Sequence, residues 1–354
     1  GRKRGGTHGA PAPRLDADRP LAIVRSEDSW ALAWAVRAES VAPPGRLTVW
    51  VDALDGAAIA VRDEIRRGIA TDTPLTLNAS HEPRRAGDAE VVSALPFFDA
   101  GDGGQSFVSD TAGAIVVPVT GANRTLDLGL RGPFVSVVFW DGSSAAAVQV
   151  TSGVPAEFVW DGLSASLSER DAAISHAVVR TRMKRMAPDL TWLDERVGIL
   201  TDIPDSDGCN AFWTGSEAQF YADSPTCNAT ARIADVVYHE IGHGLHQNLA
   251  VGGNPPGDVG EGSADYLAAT ITGDPDIGPS FFKNSPDGIR NLEPDLVFPD
   301  DVTDEPHLDG LIWGGAFWDL RTRLVARLVR RFGVRPLRAI LAAMKVRGMS
   351  LYSS

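Results

Sequence analysis

The chain has 354 residues, of which 44% are hydrophobic and 22% charged, a composition typical of a globular protein with two or three domains. Its formal net charge of −13 argues against nucleic acid as a partner, because phosphate binding requires a basic face. No apolar run approaches the length of a bilayer crossing, so the sequence predicts no membrane span.

The first 68 residues contain two different regions. Residues 1–20 are basic, rich in proline and glycine, and lack the apolar stretch of a signal peptide, so we expect a disordered arm. Either a leader has been removed or the chain begins inside a longer protein. Residues 21–68 contain strand-like runs at 21–24, 30–36 and 47–51, separated by turn residues, and these predict a small β unit.

Residues 70–160 alternate short β-rich runs with glycine, aspartate and serine. The runs at 114–119 and 134–140 are examples, and their spacing predicts a small sandwich or meander. His81 and the acidic residues near it are expected at the protein surface. The sequence of this region therefore indicates no catalytic or binding site.

The pattern changes to helical spacing after residue 164. Ser166 and Glu169 have the spacing of a capping box, and Pro188 is expected to end the helix that begins there. A strand follows at 197–200, and further helices are expected at 313–329 and 336–344. The sequence thus predicts an α+β fold with one lobe over 164–250 and a helical lobe over 251–354.

The residues that point to chemistry begin with the motif His239-Glu240-x-x-His243. On a helix, residues four apart lie on the same face, so both imidazoles can point at one metal ion. Neutral imidazoles suit zinc, and a carboxylate beside the metal can take a proton from bound water. The motif also occurs by chance, and the alternative is a hydrogen-bonded pair of surface histidines.

A catalytic zinc site needs a third protein ligand and an open position for water. Glu261 and Asp265 are also four residues apart, and the glycines and prolines between His243 and Glu261 predict a turn between two helices. Glu261 is therefore the candidate third ligand. Asp265 is the candidate acceptor for the other ring N–H of a ligand histidine. The alternative is a solvated acidic helix face.

Four further segments resemble one family in the family's order. Residues 210–213 are N-A-F-W, residues 235–237 are D-V-V, residues 260–265 are G-E-G-S-A-D, and the segment from His307 to 320 contains H-x-x-G-x-x-W and F-W-D-L. With the H-E-x-x-H motif, they resemble the gluzincin metallopeptidases of the thermolysin type, and more closely the fungalysin-related branch. The resemblance covers about residues 205–320. It implies a thermolysin-like zincin catalytic unit, a mixed sheet plus a helical lobe, preceded by β-rich N-terminal regions.

The resemblance also implies an activity, that of a zinc-dependent endopeptidase acting on proteins or peptides. One zinc ion would be held by His239, His243 and Glu261. Glu240 would be the general base that takes a proton from the zinc-activated water and passes it to the leaving amine. Asp265 would orient His239.

The same resemblance implies roles for residues outside the metal motif. His307 would stabilise the oxyanion of the tetrahedral intermediate, and Arg290 would hold a substrate carbonyl. Asn210 and Ala211 would hydrogen-bond to the substrate main chain, because the N-A-F-W segment is the edge strand on which this family lays out its substrate.

The chain departs from the thermolysin pattern at two places near the site. No tyrosine lies between His243 and Glu261, so either His307 acts alone on the oxyanion or Tyr266 or another donor assists it. Gly260 stands where thermolysin has an asparagine, which leaves the second partner of His243 unassigned.

The acidic calcium cluster of thermolysin is also missing after residue 265. Asp235, Asp274 and Asp276 are the remaining candidates for a Ca²⁺ site. The alternative is that these carboxylates are simply solvated.

Two features bear on export and latency. Cys209 and Cys227 either form a disulfide, as the secreted character of the family implies, or are two buried free thiols. Residues 21–68 resemble the last part of the propeptide of thermolysin-like enzymes, which implies an intramolecular inhibitor that is cleaved off; the alternative is a β unit of the mature enzyme. The family also implies a chain that continues beyond Ser354.

Two other interpretations of the whole chain remain open. The protein could be a latent proenzyme that is inactive while residues 1–66 are attached. It could also be a secreted binding module that keeps a zinc fold for structure alone, although structure alone does not require Glu240.

Overall fold

The computed structural model describes residues 21–26, 29–41, 44–54, 56–63, 70–204, 208–250 and 257–332. The predicted arm at 1–20, the turn-rich loop at 251–256 and the predicted helix at 336–344 lie outside the described residues. The chain divides into two compact units, residues 1–70 and residues 71–354. The structure is of mixed α+β class, and no helix among the described residues is long and apolar enough to cross a bilayer.

The first unit is an antiparallel meander of four strands in sequential order. The three predicted strand runs lie within it, and the fourth strand was not predicted. At the turn after the third strand, the Asp52 carboxylate accepts the backbone N–H of Leu54 at 2.7 Å. The strands are β1 (Ala22–Ser26), β2 (Ser29–Val41), β3 (Pro44–Asp52) and β4 (Ala58–Asp63).

The second unit begins with nine strands that contribute to three sheets. One sheet has the order β13-β5-β6, with β9 also paired to β5, and another has the order β12-β10-β7-β8. The nine strands are β5 (Ala70–His81), β6 (Val91–Ala94), β7 (Asp99–Gly101), β8 (Ser106–Val108), β9 (Ala114–Thr120), β10 (Asn123–Gly129), β11 (Val135–Phe139), β12 (Ala145–Thr151) and β13 (Ala156–Trp160).

The third sheet carries the edge strand that borders the candidate site. Its order is β11-β14-β16-β15, with the first two pairings parallel and β15 antiparallel at the edge. Its other strands are β14 (Val197–Ile203), β15 (Ala211–Trp213) and β16 (Glu217–Tyr221). The predicted strand at 197–200 and the predicted edge strand are thus confirmed. Strand β11 belongs to the stretch predicted as a separate sandwich, yet it pairs with β14 some 60 residues later.

Among the described residues, four α-helices and a short hairpin complete the second unit. The helices are α1 (Leu167–Met186), α2 (Ala234–Leu249), α3 (Gly257–Thr272) and α4 (Pro306–Phe332), and the hairpin pairs β17 (Asp276–Ile277) with β18 (Arg290–Asn291). The predicted capping box is confirmed, because Ser166 and Glu169 exchange side-chain-to-backbone hydrogen bonds at the start of α1. This arrangement satisfies two N–H groups that a helix start leaves unpaired.

Close helix contacts at two glycines position the residues of the candidate site. A Cβ on Gly242 of α2 would lie 3.1 Å from the Cα of Ala264 in α3, so these two helices approach almost backbone to backbone. On the other side of α3, a Cβ on Gly262 would lie 2.3 Å from the carbonyl oxygen of Gly310 in α4. Helix α3 is therefore held between α2 and α4 at short distance.

Two sequence-based expectations in this unit are wrong. His81 and Glu82 are buried, each with 6% exposure, although they were expected at the surface. The reason is that partners distant in sequence satisfy them: His81 Nε2 lies 2.8 Å from the Ser93 hydroxyl, and Glu82 accepts two hydrogen bonds from Arg232. The helix predicted at 313–329 begins at Pro306 instead of residue 313, since proline is favoured in the first helical turn.

We expect Gly262→Ala to destabilise the contact between α3 and α4. The added methyl group would overlap the backbone of α4, and overpacking of this kind costs about 1–3 kcal/mol in unfolding free energy. Thermal and urea unfolding measure the loss. The matched control is Gly162→Ala, where a Cβ has no neighbour within 4 Å; equal stability of the two variants would contradict the close contact.

Candidate metal and peptide site

A cleft of about 440 Å³ lies beside the edge strand β15 and the C-terminal half of α2. Two further elements reach it, namely the N-terminal parts of α3 and of α4. The lining residues are Asn210, Ala211, Phe212, Trp213, His239, Glu240, His243, His246, Gln247, Gly257, Gly260, Glu261 and His307. Of these, His246 and Gln247 were not predicted as cleft residues.

The two histidines of the motif face each other across one helical turn of α2. Their Nε2 atoms are 3.0 Å apart, and the ring centroids are 4.6 Å apart. His239 is buried and His243 half-buried. The prediction that residues four apart on a helix direct both imidazoles at one point is therefore confirmed.

Glu261, the fifth residue of α3, comes to the same point from the N-terminal part of that helix. Its Oε2 lies 3.1 Å from Nε2 of His239, and its Oε1 lies 3.5 Å from Nε2 of His243. Burial opposes ionisation, but His239 beside it lowers the pKa of Glu261 to about 2. The carboxylate is therefore ionised at neutral pH and faces two imidazoles.

Asp265 is fully buried and lies behind His239. Its Oδ1 is 2.7 Å from Nδ1 of His239, and the Arg290 guanidinium donates to both of its oxygens, at 2.6 and 2.7 Å. Burial opposes its charge, yet His239 and Arg290 hold the pKa of Asp265 below its usual value. Because an ionised carboxylate only accepts, Nδ1 of His239 carries a proton, which leaves Nε2, the nitrogen that faces Glu261, as the one that can bind a metal ion.

The donor atoms of this group fit a metal ion. The potential ligand atoms of His239, His243 and Glu261 lie within 4.8 Å of one another. Among the described residues, this is the one group of three or more such side chains that could hold a metal ion. Glu261 Oε2 is buried and makes no hydrogen bond of normal geometry, although it lies 3.1 Å from Nε2 of His239. Two imidazoles and one carboxylate form the ligand set typical of a three-residue catalytic zinc site.

The protonation of the two imidazoles also indicates a site that favours a cation. Burial opposes the charge of His239, but Asp265 and Glu261 raise its pKa to about 10. Burial and the charge of His239 lower the pKa of His243 to about 3. One positive charge is thus stabilised among these three side chains, and His243 remains a neutral ligand.

Glu240 lies next to this group on α2 and is nearly fully buried. Its Oε2 has no hydrogen-bond partner among the described residues. Burial raises the pKa of Glu240 to about 7; His239 acts against this shift and Glu261 adds to it. A carboxylate with this pKa can accept and release a proton near neutral pH.

His307 reaches the cleft from the first turn of α4, and a residue that sequence analysis missed holds it. His307 Nε2 lies 3.5 Å from Glu261 Oε2, and its Nδ1 lies 2.8 Å from Glu305 Oε1. The other oxygen of Glu305 accepts the backbone N–H of Leu308 at 2.8 Å. The signal that could have found Glu305 is its place just before Pro306, where acidic residues favour a helix start.

Strand β15 presents main-chain groups to the cleft. Tyr221 N–H donates to the Asn210 carbonyl and Thr214 N–H donates to the Glu217 carbonyl, so residues 210, 212 and 214 bond to β16. In an antiparallel pair the intervening residues point the other way. Ala211 and Trp213 therefore carry the outward groups, of which the Ala211 N–H donates to the Asn210 side-chain oxygen at 2.9 Å. The Asn210 carbonyl already accepts from Tyr221 and from the Thr230 hydroxyl, which leaves it no outward main-chain role.

The remaining predicted site residues are engaged elsewhere. Arg290 donates to Asp265 and is not among the cleft-lining residues. Tyr266 packs its ring on Phe317 at 5.6 Å and does not line the cleft either.

The three calcium candidates also make contacts within the protein. Asp235 and Asp274 both bind Arg84, at 2.9 and 2.6 Å, and the carboxylate of Asp276 accepts the Gly288 N–H. The guanidinium thus lies where two of these carboxylates would share a cation.

Cys209 and Cys227 form a disulfide, with Cα atoms 5.5 Å apart. Of the two alternatives that the sequence left open, the structure contains the bonded form. Cys209 directly precedes Asn210, so the bridge lies at the start of the edge strand.

No protein-family model matches this chain, and no curated protein matches it either. The functional argument therefore rests on the residues and geometry described above.

We expect Glu261→Ala to weaken zinc binding severely, since it removes the only carboxylate of the ligand group. The loss of affinity should exceed the roughly 10–100-fold that removal of an outer-sphere partner costs. Competition with a chelating dye measures it, and Glu293→Ala, an exposed carboxylate outside the cleft, is the control. Equal zinc affinity in both variants would place the third ligand elsewhere.

Proposed function

We propose that the protein is a zinc-dependent endopeptidase of the thermolysin-like gluzincin type, nearest in its motifs to the fungalysin-related branch. The observation that carries this proposal is the convergence of two imidazoles, one ionised carboxylate and a separate buried glutamate on a cleft bordered by a free strand edge. A structural zinc site is closed by four protein ligands, whereas a catalytic one leaves a position open. Only three ligands converge here among the described residues.

His239, His243 and Glu261 would hold the zinc ion, and Asp265 would keep the Nε2 lone pair of His239 directed at it. Bound there, zinc acts as a Lewis acid that makes water a nucleophile at neutral pH and polarises a carbonyl group. Glu240 accepts the proton of the attacking water and then donates it to the leaving amine. Its buried position and raised pKa support both steps.

His307 would donate a hydrogen bond from Nε2 to the developing oxyanion, which requires the doubly protonated ring because Nδ1–H donates to the Glu305 carboxylate. Its Nδ1 faces Glu305, so the ring is held in one orientation before the substrate arrives. A donor that is preorganised in this way stabilises the transition state without reorganisation. This supports His307 as the oxyanion donor without help from Tyr266.

The substrate would lie antiparallel or parallel to β15 as an added strand. The Ala211 carbonyl and the main chain of Trp213 offer hydrogen bonds that any peptide can make, whereas the Ala211 N–H already donates to the Asn210 side-chain oxygen at 2.9 Å. Main-chain recognition fits a protease with broad protein substrates. Arg290 would act through Asp265 in this account, since its guanidinium is committed to that carboxylate.

The first unit supports a latent form of the enzyme as part of the proposal. Residues 1–70 form a compact unit of their own, as a removable propeptide must. The disulfide fits an oxidising compartment, and we propose secretion on that ground. N-terminal sequencing after incubation tests whether the chain cleaves itself between the two units.

We expect Glu240→Gln to bind zinc like the parent and to cleave a denatured protein about 10²–10⁴-fold more slowly, the range for loss of a general base. Zinc content and cleavage are measured on the same samples. Cleavage by this variant at the parental rate would rule out Glu240 as the base.

We expect Glu305→Ala to lower kcat, by up to about 10²-fold, because the His307 ring loses the group that orients it. Zinc content should not change, and Glu305→Gln, which keeps an acceptor, should lie between the parent and the alanine variant. The exposed Asp300→Asn in the preceding loop is the control. A loss of zinc instead of kcat would mean that Glu305 supports the metal site.

A further inference from the structure

Strand β15 is a short element for its proposed task. It has three residues, pairs with β16 on one side only, and offers its other edge to the cleft. Short edge strands with few backbone hydrogen bonds open easily. Something other than the sheet must therefore fix the position of the strand if a peptide is to pair with it.

The C-terminal end of β15 is attached to the metal-binding helix without covalent bonds. The Trp213 indole N–H donates to Gln247 Oε1 at 2.9 Å, and Gln247 Nε2 donates to the Gly215 carbonyl at 3.2 Å. Gln247 lies on α2, one turn after His243. These two hydrogen bonds thus fix the position of this end of the strand relative to the helix that carries His239 and His243.

The N-terminal end is attached by the disulfide. Cys209 precedes the strand, and Cys227 is buried in a turn closed by two bonds to Ser224: the Cys227 N–H donates to the Ser224 hydroxyl, and the Ser224 N–H donates to the Cys227 carbonyl. The neighbours of Cys227 are also fixed, because Lys283 N–H donates to the Thr226 carbonyl at 2.8 Å. The bridge therefore joins the start of the short edge strand β15 to a turn that several hydrogen bonds hold in place.

The anchored turn leads directly into the metal-binding helix. Residues 228–233 connect Cys227 to the start of α2 at Ala234, and the hydroxyl of Thr230 in this connection donates to the Asn210 carbonyl at 2.9 Å. The disulfide and this hydrogen bond fix neighbouring residues, Cys209 and Asn210. Both ends of β15 are consequently tied to the segment that carries His239 and His243.

We propose that the Cys209–Cys227 disulfide is a positioning device for extended substrates: it holds the peptide-binding edge of β15 at a set distance from the metal-binding helix. This inference rests on the proposed function. It predicts that loss of the bridge affects substrates in proportion to how much of β15 they cover. A short substrate that spans only the scissile bond does not depend on the strand.

The test compares the full-length parent with Cys209→Ala/Cys227→Ala on two substrates, a long peptide with several residues on each side of the scissile bond and a blocked dipeptide. We expect KM of the long peptide to rise about tenfold, equivalent to roughly 1.4 kcal/mol. We expect KM of the dipeptide and the zinc content to stay at the parental values. An unchanged KM for the long peptide, or an equal rise for both substrates, would overturn the proposal.

A control variant separates positioning from general loss of stability. Val117→Ala removes two buried methyl groups from β9, in a sheet that does not contain β15. It should lower the melting temperature and leave the ratio of the two KM values unchanged. If the double cysteine variant does not fold, Ser224→Ala takes its place, because it keeps the bridge but removes the acceptor for the Cys227 N–H; it should shift the same KM ratio in the same direction.

Amide hydrogen exchange tests the positioning without any activity. The Tyr221 N–H bonds to Asn210 beside the bridge, whereas the Thr214 N–H bonds to Glu217 at the end tied to Gln247. Without the disulfide, we expect faster exchange at Tyr221 and unchanged exchange at Thr214. Unchanged exchange at Tyr221 overturns the positioning role. If the parent cleaves neither substrate even after the incubation that allows the first unit to be removed, the proposed function fails and the substrate role fails with it, while exchange still decides whether the bridge holds the strand.

Discussion

The buried charge of Asp265 is the constraint on which the candidate site depends. A carboxylate with no solvent contact is stable only when charged or hydrogen-bonding partners compensate it. Here Arg290 binds both oxygens and His239 supplies its Nδ1–H. Satisfying this one carboxylate sets the tautomer of His239, which in turn directs Nε2 at Glu261 and His243.

The helix contacts make that arrangement rigid. Gly242 allows α3 to lie against α2, and Gly262 allows α4 to lie against α3, so three helices bring Glu240, Glu261, His307 and the two histidines of the motif to one cleft. The edge strand β15, in contrast, has no such close backbone packing described for it. It is short and depends on attachments at both ends, the disulfide and Gln247. The helices are thus held by close backbone contacts, whereas the strand is held by attachments at its two ends.

Local patterns in the sequence predicted the parts of the site that depend on local geometry. The four-residue spacings of His239/His243 and Glu261/Asp265 hold on real helices, and the capping box at Ser166 is present. The predictions that were wrong concern residues whose partners lie far away in the sequence. The burial of Glu82 depends on Arg232, 150 residues later, and β11 joins β14 across about 60 residues. Glu305 was missed because the helix start at Pro306 was placed seven residues too late.

The most direct measurement of the central claim is cleavage of an unfolded protein by the full chain after metal removal and after zinc is restored. The account predicts that a strong chelator abolishes cleavage and that about one equivalent of zinc per chain restores it, as expected for a single catalytic ion. Cleavage that persists in the metal-free protein would contradict the account.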